Sequence, residues 1–203
     1  MGHPPHAWPG NVEVHAQVSL PTSDGHHAAA LAEGEVVVVA LDAPDQWTHK
    51  AAPLGWYLPA LAWPAVAWVE QGVGEDIWWL PDATSGQPAL LAGGPGHQRH
   101  VVGAGTWLAW VDGGDLVRMN LASGERTHIE TETGFNAPPT LTNDGVLCWE
   151  VRDGADIDIH CSDGLEINDP GHQTWPSRHK DWLIYREGDE LHLVTRPVPL
   201  GEP

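Results

Sequence analysis

Short apolar runs separated by polar turns recur along the chain. Each run spans four residues, is rich in Val, Trp and Leu, and is followed by a turn rich in Gly or in acidic residues before a second strand-like stretch begins. The runs lie at 36–39, 65–68, 107–110, 146–149 and 182–185. Runs of this length and composition are typical of buried β-strands, and the turns between them predict hairpins. The pattern therefore predicts an all-β chain built from antiparallel meanders.

A second feature repeats in phase with these runs. Five segments begin with Gly, a ring-bearing residue and a mostly polar residue, at Gly25, Gly55, Gly96, Gly134 and Gly171. An apolar or aromatic residue, called the anchor here, follows each Gly after 13 to 15 residues: Val39, Trp68, Trp110, Trp149 and Tyr185. A unit of about 40 residues with three or four strands has the size of a propeller blade. The sequence therefore predicts a five-bladed β-propeller, with blades near 25–54, 55–95, 96–133, 134–170 and 171–197.

The ends of the chain suggest how such a ring closes. The last unit has only three predicted strands, and the shorter first unit is also expected to have three. Residues 11–20 alternate between polar and apolar side chains, so we expect them to pair with the last unit and supply its outer strand. Residues 1–10 are expected to form a flexible N-terminal segment, which leaves residues 11–203 as a single propeller domain.

Composition and charge narrow the functional classes. The 23 Gly and 18 Pro residues argue against a helical bundle. The formal net charge of −19 argues against nucleic-acid partners and anionic membrane surfaces, since both require a basic face. No apolar run is long enough for a membrane span. Carboxylates cluster in the turns, where we expect them to be solvated hairpin tips.

The two cysteines predict a disulfide. Cys148 and Cys161 lie at equal distances from the centre of a predicted hairpin between Gly154 and Ala155, so they face each other on neighbouring strands. The alternative is a pair of buried thiols on one blade face. A disulfide would indicate an oxidising compartment, and we therefore expect the protein to be periplasmic or secreted.

Equivalent blade positions form rings around a propeller axis, and two such rings contain the candidate site residues. The first ring contains three histidines from alternate blades, which are expected to hold one divalent transition metal: His26, His97 and His172. The second ring and its neighbours are expected to line a funnel for a ligand: His27, Tyr57, Gln98, Arg99, His100, Asn136 and Gln173. The alternative for both rings is structural, with imidazoles and amides that satisfy backbone groups at the blade ends.

The repeats resemble those of the TolB-like and WD-type β-propeller family. Thr142-Asn143-Asp144-Gly145 stands where that family has a Ser-Pro-Asp-Gly turn, and the stretches 76–86 and 115–124 are similar to the second half of its blade. The run 171–177, Gly-His-Gln-Thr-Trp-Pro-Ser, is similar to blade openings of oligogalacturonate-lyase-type propellers. That second resemblance implies a divalent metal bound by histidines at the inner ends of the blades.

These observations favour a secreted or periplasmic binding module that uses its axial funnel for a small ligand, a metal or a protein segment. The competing hypothesis is a metal-dependent lyase or hydrolase of a polysaccharide, with Arg99 as a carboxylate clamp beside the histidines. The net charge argues against an acidic glycan as substrate. A scaffold that binds only other proteins is a third possibility. No catalytic residue is identified from the sequence.

Overall fold

The computed structural model describes residues 22–32, 35–51, 58–71, 74–131 and 137–195. Throughout these ranges the chain forms β-strands and turns, and no helix is present. In particular, the described residues include no helix long and apolar enough to cross a membrane. The predicted all-β class is confirmed.

Within the described ranges, nineteen strands form five antiparallel sheets, and the strands of each sheet follow one another along the chain. The first sheet contains β1 (Thr22–Ser23), β2 (His27–Ala32), β3 (Glu35–Ala40) and β4 (Ala43–Ala51). The second contains β5 (Ala60–Ala62), β6 (Ala65–Gln71), β7 (Glu75–Leu80) and β8 (Ala89–Ala92). The third contains β9 (Gln98–Ala104), β10 (Trp107–Asp112), β11 (Asp115–Asn120) and β12 (Arg126–Ile129). The fourth contains β13 (Thr140–Leu141), β14 (Leu147–Asp153), β15 (Asp156–Cys161) and β16 (Glu166–Ile167). The fifth contains β17 (Gln173–His179), β18 (Trp182–Glu187) and β19 (Glu190–Thr195).

The sheets follow the predicted units closely, with one correction at the first. Its three expected strands are β2, β3 and β4, but Thr22–Ser23 adds a fourth strand that pairs with Ala28 and Ala29. The turn at Gly25, which has a φ of 91°, folds this two-residue strand back onto β2. The fifth sheet has three strands, as the sequence predicts. Residues 11–20, which are expected to close the ring, lie outside the described residues.

The core lies between consecutive sheets. In β10, Leu108 and Trp110 belong to a cluster shared with the second sheet, whereas Ala109 and Val111 belong to a cluster shared with the fourth. This division follows from the alternation of side chains across a strand. Trp68, Trp149 and Tyr185, the anchors of the other units from the second onward, likewise join clusters with the preceding sheet. The sheets therefore stack in chain order, as blades do.

Two buried features reinforce the fourth sheet and its junction with the fifth. Cys148 and Cys161 face each other on β14 and β15 and form a disulfide, as predicted. Arg178 of β17 is buried and donates from Nη1 and Nη2 to the two carboxylate oxygens of Asp163, over 3.0 and 2.7 Å. A bidentate pair of this kind fixes both position and orientation. It therefore holds the inner strand of the fifth sheet against the β15–β16 turn of the fourth.

Candidate functional site

The predicted site residues that the structure describes lie at one end of the sheets, which is called the upper face here. The strands β9 and β17, each the first of its sheet, begin at this end. The β10–β11 and β18–β19 hairpins of the same two sheets lie at this end as well. The pairing shows this directly, since Gln98 lies opposite Asp112 and Gln173 lies opposite Glu187. The upper face is therefore built from blade openings and from hairpin tips.

Gln98 and Gln173 occupy equivalent positions, two residues after Gly96 and Gly171. Gln98 is only 4% exposed, and its Nε2 donates to Asp112 Oδ1 over 2.8 Å. Its Oε1 is buried and has no hydrogen-bond partner among the described residues. A buried carbonyl oxygen without a partner costs about 1–3 kcal/mol unless water or a ligand satisfies it.

The Gln173 amide is still less satisfied. Its side chain is 0% exposed, and within the described ranges neither Oε1 nor Nε2 has a partner. The backbone of Gly171 lies close to this amide, because a Cβ at residue 171 would lie 3.3 Å from Glu187 Oε1 and 3.7 Å from Gln173 Nε2. Its φ of 130° also favours glycine. Two blade openings thus present buried amides with unused hydrogen-bonding capacity.

The histidines of the blade openings contact the preceding sheet. His97 Nδ1 lies 3.2 Å from Glu75 Oε2 in the β6–β7 hairpin. His172 Nε2 lies 2.9 Å from the carbonyl oxygen of Ala155 in the β14–β15 hairpin. Both imidazoles therefore link neighbouring sheets, as the structural interpretation of the first ring expects.

His26 and His27 belong to a local turn around Asp24. Both backbone N–H groups donate to Asp24 Oδ1, over 2.8 and 2.7 Å. Partial burial acts to raise the pKa of the Asp24 carboxyl, but these hydrogen bonds outweigh it and leave the pKa below its ordinary value. The His27 ring also stacks on Trp63, with centroids 3.5 Å apart.

The structure does not bring His26, His97 and His172 into one cluster. Across the described part of the chain, no group of three or more His, Cys, Asp or Glu side chains is arranged to hold a metal ion. The metal stays a prediction. Of the other expected ligand residues, Tyr57 and Asn136 lie outside the described residues.

Arg99 and His100 follow Gln98 on β9, where the ladder with β10 is interrupted by a bulge. His100 has a φ of 53°, and Trp175, at the same distance from its blade-opening Gly, has a φ of 56° beside the matching interruption in β17. Non-glycine residues rarely adopt this left-handed conformation, and it is enriched at functional sites. The two blade openings thus share this left-handed residue and the strand interruption as well as their Gly-His-Gln sequence.

Trp175 connects this region to a buried carboxylate. Its backbone N–H donates to Glu150 Oε1 over 2.8 Å. Burial raises the pKa of the Glu150 carboxyl, and the hydrogen bond from Trp175 offsets part of that rise. The Trp175 ring itself is exposed.

Acidic hairpin tips surround the blade openings. The tips of the second to fifth sheets read Gln-Gly-Val-Gly-Glu, Asp-Gly-Gly-Asp, Asp-Gly-Ala-Asp and Glu-Gly-Asp-Glu, and none contains Lys or Arg. Their acidic residues are Glu75, Asp112, Asp115, Asp153, Asp156, Glu187, Asp189 and Glu190. Carboxylates gathered at one end of a molecule create a negative potential there, so the upper face attracts cations.

Sequence reasoning missed the part these carboxylates play. Glu75 contacts His97, and Asp112 accepts from Gln98, so neither is merely a solvated tip. A usable signal was present, since an acidic residue follows each of the two glutamines after 14 residues, at Asp112 and Glu187.

The stacked antiparallel meanders of three or four strands define a β-propeller fold. No family model matches the chain, and no curated protein is similar in sequence. Among solved structures, TolB from Agrobacterium tumefaciens is similar with a TM-score of 0.55 and 16% identity, over 87% of this chain and 76% of TolB. A nidogen/laminin complex matches with a TM-score of 0.54 and 13% identity, over 84% of this chain and 72% of the other.

The tricorn protease gives a TM-score of 0.57 and 14% identity over 83% of this chain, which spans only 18% of the protease. Likenesses at these identities establish the β-propeller fold, which the sequence predicts. They do not establish function, because the same fold appears here in a protease and in a protein–protein complex.

Proposed function

We propose that this chain is a β-propeller binding module whose upper face takes a positively charged segment of a partner protein. The observation that carries the proposal is the pair of equivalent buried amides, Gln98 and Gln173, beside acidic hairpin tips. The amides offer unused acceptors and donors, and the carboxylates provide attraction for cations. A peptide backbone with basic side chains satisfies both.

The charge of the upper face separates this proposal from the polysaccharide lyase or hydrolase. An anionic glycan would be repelled by the carboxylates of the four hairpin tips on the face that carries Arg99. A basic segment would be attracted by the same groups. The nidogen/laminin complex shows that a chain of similar fold occurs in a protein assembly, which supports the proposal by analogy only.

The proposed location is the periplasm or the cell exterior. The support is the Cys148–Cys161 disulfide, since such bonds persist in oxidising compartments and are rare in reducing ones. The molecule there would be a closed ring in which residues 11–20 pair with the free edge of β19 and the first sheet covers the fifth. The three-stranded fifth sheet and its exposed Leu191 and Leu193 support this closure.

The binding proposal is tested with a fluorescently labelled peptide of alternating lysine and glycine, titrated with the protein and followed by anisotropy. We expect saturable binding that weakens as salt is added, and no binding of the glutamate–glycine counterpart. The double variant Asp153→Asn/Asp156→Asn removes two upper-face charges and should weaken binding about two- to ten-fold. Gln173→Leu should weaken it about three-fold or more without any change in charge.

The matched control is Asp181→Asn/Glu125→Gln. These two exposed carboxylates lie in turns at the opposite end of the sheets, so the control removes the same charge from the wrong face. We expect it to bind like the wild type. Equal weakening in both double variants would show that only net charge matters and would overturn the proposal. An unchanged affinity for Gln173→Leu would remove the amides from the site.

A further inference from the structure

A cleft of about 490 Å³ lies between the outer strands of the second and third sheets. One wall is apolar and comes from Leu90, Leu91 and Ala92 of β8. The other contains Trp110 and Arg126 of the third sheet. The volume of the cleft lies in the range of small-molecule sites. Leu90 is 54% exposed, so this wall offers apolar surface to a ligand.

The indole of Trp110 has an unused donor. Trp110 is only 1% exposed, and in the described part of the chain its Nε1–H has no hydrogen-bond partner. Buried indole N–H groups are usually paired, and an unpaired one costs about 1–3 kcal/mol. Because Trp110 lines the cleft, an acceptor atom bound there could satisfy this group.

Arg126 is held across the same cleft. Its Nη2 donates to the carbonyl oxygen of Leu91 over 3.2 Å, which bridges the two sheets. Its guanidinium carbon lies 5.6 Å from the centroid of the Trp110 ring. Stacking on an indole while bound to a backbone oxygen fixes the orientation of the guanidinium, so its other N–H groups are presented in a defined direction.

Two further polar residues line the cleft. Asp112 adds a negative charge, and its Oδ1 accepts from Gln98. His128 also lines the cleft, and its Nε2 lies 3.2 Å from Asp115 Oδ2, so this imidazole contacts a carboxylate other than Asp112. The lining thus combines a cation, an anion, an unpaired N–H donor and an apolar wall.

We propose that this cleft binds a zwitterion with an apolar body, either an apolar amino acid or a short apolar peptide with free termini. The carboxylate accepts from the guanidinium of Arg126 and from Trp110 Nε1–H. The ammonium group faces Asp112, and the apolar side chains lie against Leu90 and Leu91. The site shares Asp112 with the upper face, but it is distinguished from the proposed binding of a basic segment by Arg126 and Trp110, which are not part of that face.

The test uses the dipeptide L-leucyl-L-leucine with the full chain in isothermal titration calorimetry. We expect one saturable site, and binding at least about ten-fold weaker in Arg126→Gln, since charge-assisted hydrogen bonds are lost. Arg152→Gln is the matched control, because Arg152 is an exposed arginine of the fourth sheet. We expect that variant to bind like the wild type.

Three further measurements separate the parts of the proposal. Trp110→Phe keeps an aromatic ring but removes the N–H together with the pyrrole part of the indole, so binding should weaken while the far-ultraviolet circular dichroism spectrum is unchanged. The C-terminal amide and the N-acetylated dipeptide should each bind more weakly than the free dipeptide. Absence of binding to the wild type, or an equal affinity in Arg126→Gln, would overturn the site. Equal binding of either blocked dipeptide would refute the zwitterion.

Discussion

Loss of the disulfide between Cys148 and Cys161 should lower the free energy of unfolding by a calculable amount. The bond joins residues 13 positions apart on β14 and β15. In the chain-entropy treatment, closing a loop of that length stabilises the folded state by about 3 kcal/mol. Replacement of both cysteines by alanine also removes two buried sulfur atoms, which adds about 1–2 kcal/mol.

The packing contribution and the cross-link can be measured separately. Both cysteines belong to the core cluster that joins the fourth sheet to Leu183 and Tyr185 of the fifth, and reduction leaves that packing largely in place. Urea unfolding followed by circular dichroism, with and without a phosphine reductant, therefore reports the cross-link alone. The double alanine variant reports both contributions, and the reductant should not affect its stability.

The expected order of stability is oxidised wild type, reduced wild type, then the alanine variant. If the reduced and oxidised wild types unfold at the same urea concentration, the loop between the cysteines does not gain freedom on unfolding. The calculated stabilisation would then be refuted.

Two further predictions concern the buried carboxylate and the ring. Burial raises the pKa of Glu150 in the folded state, so protonation of this carboxyl stabilises the fold. That stability is fully present below roughly pH 4, the ordinary pKa of Glu, and is lost as the pH rises through the raised pKa. Glu150→Gln, which can still accept from Trp175, should therefore be more stable than the wild type at pH 7 and about equal at pH 4, as measured by urea unfolding; an equal gain at both pH values would contradict this. If the first sheet covers the fifth, Val39→Cys/Ile184→Cys should form a cross-link that peptide mapping detects, whereas an open arc would leave both thiols alkylatable.

Much of the fold could be predicted because its signals are local. A hairpin is specified by a few turn residues between two apolar strands, and that is why the facing of Cys148 and Cys161 followed from counting. The two-residue strand Thr22–Ser23 was missed for the opposite reason. A strand that short has no pattern of its own and exists only because the turn at Gly25 places it beside β2.

The site was harder to predict than the fold. The sequence placed Gln98 and Gln173 at equivalent blade openings, and the structure shows that both are buried there. The sequence alone could not show whether the neighbouring histidines face the propeller axis or an adjacent sheet. That choice depends on which hairpin lies beside them, and the structure places Glu75 against His97 and the Ala155 carbonyl against His172.

The sizes of the side chains between sheets are compatible with the closure after five blades that is proposed above. The residue before each anchor packs toward the next sheet and shares a core cluster with that sheet's anchor. The pairs are Val38 with Trp68, Ala67 with Trp110, Ala109 with Trp149 and Cys148 with Tyr185. In each pair, a small or medium side chain accompanies a large ring.

At the interface that would close the ring, the order is reversed, because Ile184 of the fifth sheet is the larger residue and Val39, the anchor of the first sheet, is small. An interface between them would fill a volume similar to that of the Cys148–Tyr185 interface, as close packing requires. A sixth blade with an aromatic anchor would overfill the same space, so the exposed Ile184 fits the first sheet of this chain better than it fits another repeat of the same kind.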